Sequence, residues 1–75
     1  MSLYNDVEDI LAKDLGLSAP NFLKRQVERH LNRSNLVITQ DDLEELSRWC
    51  YTSVKLTLGE DTAIRVKRNV LSLKA

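Results

Sequence analysis

An all-α fold, a compact bundle of three or four helices, is predicted by three observations. Apolar residues recur at helical spacing through most of the chain. Residues that start and stop helices stand at the ends of these stripes: Asn5, Ser18 and Thr39 before them, Gly16 and Gly59 after them. The 75 residues, 43% hydrophobic and 29% charged, suit one globular domain spanning 1–75 and leave no room for a second.

The first segment is Leu3 to Leu15, with Leu3, Val7, Ile10, Leu11 and Leu15 on one stripe. Asn5 is placed to cap its start and Glu8 to reach back, as in a capping box. Asp6, Glu8 and Asp9 lie where the helix dipole favours negative charge. Gly16 ends the helix, and Leu17 is expected to fold back onto its last turn. The second segment runs from about Ala19 to Arg33. Ser18 suits the N-cap, and Pro20 falls in the first turn, where a missing N–H costs little. Leu23, Val27, His30 and Leu31 define one face, with Phe22 beside it. The short joint between the two segments predicts that they pack as neighbours.

A polar turn then leads into Leu36-Val37-Ile38, expected to be extended with its side chains in the core. Thr39 is the predicted cap of a third helix from Gln40 to at least Ser53, with Leu43, Leu46, Cys50 and Val54 inward. The C-terminal third admits two readings. As helix, the third segment continues to Leu58, stops at Gly59, and a fourth is capped by Asp61 or Thr62. That fourth helix would turn Ala63, Val66, Val70 and Leu73 inward. As strand, Val54, Leu56 and Leu58 alternate with polar residues, Gly59-Glu60-Asp61 turns, and Ile64 and Val66 alternate again, giving an α+β fold with a hairpin at about 54–67. The helical stripe is the longer periodicity, so helix is preferred.

The charges cancel overall, 11 basic against 11 acidic, but they are segregated. Residues 1–16 carry −3, 17–35 carry +3, 36–46 carry −4 and 62–75 carry +4. The plain expectation is internal complementarity, with the acidic first helix beside the basic second. Exposed pairs of this kind add only about 0–1 kcal/mol each but bias which neighbours pack. The sharper expectation is that opposite faces meet across a subunit boundary, or that a basic face meets an anionic partner.

Several classes are excluded or disfavoured. Zero net charge argues against a polycation that coats nucleic acid. A single Cys leaves no internal disulfide and no Cys-rich metal site. No apolar run approaches the ~20 residues of a membrane span, and no basic start is followed by an apolar stretch. A cytoplasmic chain without membrane association is therefore expected. No glycine-rich phosphate loop, nucleophile motif or ligand spacing is present, so no catalytic residue, cofactor or metal is expected. His30 is read as packed at a core margin and Cys50 as buried and inert.

The candidate binding residues are Arg25, Arg29, Arg33, Trp49 and Tyr51. The arginines recur at i, i+4 and i+8, a line about 12 Å long on a helix. They pair with carboxylates of the first helix, or they form a track for an acidic surface or a phosphate backbone. Trp49 and Tyr51 flank the core face of the third helix from opposite sides, and an exposed aromatic is a good anchor. Segment three is a poor recognition helix for DNA, because its first turn would present Asp41, Asp42, Glu44 and Glu45 to a polyanion. The stretches Pro20-Asn21-Phe22-Leu23-Lys24 and Ile38-Thr39-Gln40-Asp41 resemble the small helical module at the C-terminus of the light-independent protochlorophyllide reductase B subunit. The resemblance covers under half the chain, and no function is carried across. The resulting expectation is a small non-catalytic protein-interaction or accessory module, with a protein partner or self-association as a homodimer. The alternative is a nucleic-acid-binding domain using Arg25, Arg29, Arg33 and the C-terminal cations.

Overall fold

The computed structural model describes residues 2–31 and 37–75. These form four α-helices, α1 (Leu3–Leu15), α2 (Ala19–His30), α3 (Asp42–Leu58) and α4 (Glu60–Leu71), with a 3-10 turn at Gly16–Ser18 joining the first two. The described residues contain no strand, so the α+β alternative is not supported. Helical phase explains why. In a hairpin, Val54, Leu56 and Leu58 would share one face; here Val54 is buried while Leu56 is 83% exposed.

The helix starts differ from the sequence expectation. Ser2, not Asn5, caps α1: its Oγ accepts from the Asn5 N–H at 3.1 Å. Ser18 makes no cap; its hydroxyl donates back to the Leu15 carbonyl at 2.7 Å, leaving Pro20 in the first turn to limit the unmet donors of α2. α2 ends at His30 rather than near Arg33, with the Leu31 N–H closing on the Val27 carbonyl. Helix α3 begins two residues after Gln40. The Asp42 carboxylate accepts from both the N–H and the hydroxyl of Thr39, at 2.8 and 3.2 Å, and ties the incoming chain to the first turn. Neither Asp61 nor Thr62 caps α4, which starts directly after Gly59. Leu17 does not fold back but stands fully exposed. Of the expected core run 36–38, Ile38 is buried, Val37 is exposed, and Leu36 lies outside the described residues.

Each helix packs on its two sequence neighbours, and α4 closes back on α1; the backbones of the diagonal pairs stay apart among the described residues. All four contacts are antiparallel. In α2 and α3, Gln26 bonds Ser53 while His30, one turn on, meets Trp49, one turn earlier. Asp14 near the end of α1 pairs with Arg65 in the first half of α4 at 2.8 Å. The result is an up-down-up-down bundle with a central core of Val7, Leu11, Leu23, Val27, Leu43, Leu46, Cys50, Val54, Ala63, Val66 and Val70. No helix among the described residues is long and apolar enough to cross a membrane.

Gly59 makes the tight α3–α4 joint with φ +95° and ψ 170°, a conformation that L side chains rarely adopt. A Cβ built there meets nothing within 4 Å, so any penalty is conformational rather than steric. Gly59→Ala is expected to cost about 1–3 kcal/mol and to lower the melting temperature by at least about 4 °C. D-Alanine at the same position, introduced by chemical synthesis, should restore stability. Equal melting of the L- and D-alanine proteins would contradict this account.

Candidate docking groove between α2 and α3

Helix α2 buries Ala19, Leu23, Gln26 and Val27 and turns Arg25 and Arg29 outward. On α3, Val54 is inward, Ser53 and Trp49 lie toward α2, and Thr57 and Leu58 follow at the helix end. Between them runs a groove of about 440 Å³. Leu15, Phe22 and Leu58 form an apolar end, Arg25 and Arg29 line one side, and His30 stands at the other end. The His30 and Trp49 rings stack nearly parallel, with centroids 3.8 Å apart and planes at 7°. His30 is thus half-buried at a helix–helix contact, and Trp49, 37% exposed, covers it from α3.

The expected pairing of the α2 arginines with α1 does not form. Among the described residues the carboxylate of Asp14 holds Arg65, Glu44 holds Lys74 at 3.4 Å, and Glu60 holds Lys55 at 3.5 Å. Arg25 and Arg29 make no ion pair with any described residue. Arg33 lies outside the described residues. Tyr51 belongs to a different surface: it faces α4, with the ammonium groups of Lys55 and Lys67 at 5.7 and 5.6 Å from its ring centroid. The candidate residues therefore divide. Arg25, Arg29 and Trp49 converge on the α2–α3 side, and Tyr51 does not join them.

Gln26 was not singled out by sequence. It is 8% exposed, and its Nε2 donates to Ser53 Oγ at 3.0 Å across the helix pair. Its Oε1 is buried and has no hydrogen-bond partner among the described residues. The signal was present: Leu23, Gln26, Val27 and His30 follow the inward spacing, which puts a polar amide among the apolar residues of that stripe.

Two titratable groups are shifted by their surroundings. Burial pushes the Cys50 thiol up to about 12. Tyr4 is also raised, first by burial and then by the nearby carboxylates of Glu8 and Glu28. Among the described residues no cluster of His, Cys, Asp or Glu is arranged to hold a metal. No protein-family model, curated protein or solved structure matches the chain.

Proposed function

We propose that the chain is a non-catalytic protein-interaction module, working in the cytoplasm, that docks a partner in the α2–α3 groove. The observation that carries this is the pair Arg25 and Arg29: two guanidinium groups on a groove wall that form no ion pair with any described residue. Arginine forks suit carboxylates geometrically, and the apolar end at Leu15, Phe22 and Leu58 adds desolvated contact area. A phosphate backbone is the competing occupant. It is disfavoured because C-terminal cations that would extend such a track are engaged elsewhere: Arg65 and Lys74 are paired, and Lys67 sits on Tyr51.

Photo-crosslinking tests the proposal. A benzophenone amino acid at Thr57, exposed in the groove, is expected to give discrete protein adducts in cells, and the same group at Ala12, exposed on α1, is not. The charge reversals Arg25→Glu and Arg29→Glu together should reduce the Thr57 adducts by at least about tenfold, as like charges replace attraction. Nucleic-acid adducts would favour the competing occupant, and adducts of two identical chains would identify a homodimer. Thr57 adducts that survive the reversal would overturn the proposal.

A further inference from the structure

We infer that the groove takes an extended acidic peptide segment. In this arrangement carboxylates on alternate residues meet Arg25 and Arg29, and a backbone N–H between them donates to Gln26 Oε1. This rests on the docking proposal above and names the chemistry of the partner.

Gln26 carries the inference. A buried carbonyl oxygen without a donor is uncommon and costly in a native bundle. Reversing the amide would move the deficit rather than remove it: the oxygen would take the Ser53 hydroxyl proton, and the N–H donors would occupy the unpartnered position. Gln26 lines the groove, so a ligand N–H can supply what the fold does not. The oxygen lies beneath the surface, and reaching it requires the rim to part. Arg25 and Arg29, held by no ion pair among the described residues, are free to swing onto incoming carboxylates.

The spacing then selects the ligand. Arg25 and Arg29 are one turn apart, about 6 Å along the axis. Alternate side chains of an extended peptide point the same way about 6.6 Å apart. A helical ligand could match that distance too, with carboxylates one turn apart. Its interior N–H groups, however, are already committed to its own ladder, whereas those of an extended segment are free. A DNA strand offers phosphates to both arginines but no donor from its sugar–phosphate backbone. From Phe22 to His30 the wall is about 12 Å long, room for roughly four extended residues.

The probe is a fluorophore-labelled, end-blocked octapeptide with aspartates at alternate positions, read by anisotropy at low salt. Beside it stand the same peptide N-methylated at its central residue, one N-methylated at its terminal residue, and an oligothymidylate of equal charge. The wild-type protein should bind the parent peptide, and central N-methylation should weaken it about tenfold, the loss of one buried hydrogen bond. Terminal N-methylation should not. Gln26→Met should weaken the parent peptide by a similar factor and make central N-methylation silent. The same variant should melt at a higher temperature than wild type, because the unmet acceptor is gone; a merely structural Gln26 would not give these opposite signs. Equal affinity for the two N-methylated peptides, tighter binding of the oligothymidylate, or no peptide binding at about 1 mM would each overturn the inference. The docking proposal would still be decided separately by the Thr57 adducts.

Discussion

Leu46→Ala is expected to abolish the cooperative thermal transition. Leu46 is fully buried on the inward stripe of α3, about one turn from its start, within the hydrophobic core cluster to which all four helices contribute. Truncating a leucine in such a place costs about 2–5 kcal/mol, from lost transfer energy and the cavity left behind. A core of this size supplies only about 3–5 kcal/mol of net stability. The two quantities are comparable, so the variant should be largely unfolded at 25 °C by far-ultraviolet circular dichroism. Leu56→Ala on the same helix is the matched control. Its side chain is solvent-exposed, and its removal should fall within about 0.5 kcal/mol of wild type. If both variants melt alike, the inward face of α3 has been wrongly identified.

Alkali should unfold the bundle, and Cys50 should be the main reason. The thiol is held neutral by burial, its pKa raised from 9.0 to about 12. Between those limits the unfolded chain loses its proton and the folded chain keeps it. The unfolded state therefore binds fewer protons, and stability falls as pH rises. The contribution is fully present below about pH 9 and is lost towards pH 12. Its span is on the order of 4 kcal/mol, again comparable to the whole net stability. Tyr4, raised in the same direction, adds to the loss above its ordinary value of 10.0. Urea titrations at pH 7 and pH 10.5 should show a clear drop in wild-type stability and a much smaller one in Cys50→Ala. Parallel drops in the two proteins would mean that the thiol is not the group being desolvated.

Both expectations depend on burial, and burial was the part of this structure most legible in the residues. The stripe Leu43, Leu46, Cys50, Val54 and its continuation through Ala63, Val66 and Val70 are fully buried as their phase required. The end of α1 at Leu15 followed from Gly16, since φ +59° there suits a residue without a side chain. Choices between near-equivalent local options were not legible. Ser2 and Asn5 are both good caps three residues apart, and which is chosen depends on one turn of fraying. Charge blocks failed as a guide to partners. They correctly place α1 beside α2, yet Asp14 reaches Arg65, distant in sequence, because α4 closes the ring on the other side of α1. Arg25 and Arg29 form no ion pair with any described residue. For the candidate site, the arginine spacing was legible along one helix. The burial of Gln26 against Ser53 needed the α2–α3 register, which residue types alone do not specify.

The chain contains one tryptophan, and it lies face to face with an imidazole from the neighbouring helix. The stacked ring covers one face of the indole, so the emission of this single tryptophan is a gauge of one seam. A red shift of that emission preceding loss of ellipticity would mark the seam between α2 and α3 opening, as the indole meets water, while the other helices hold. The molecule thus carries its own optical reporter, placed where the groove ends, and needs no added dye to reveal when that edge loosens.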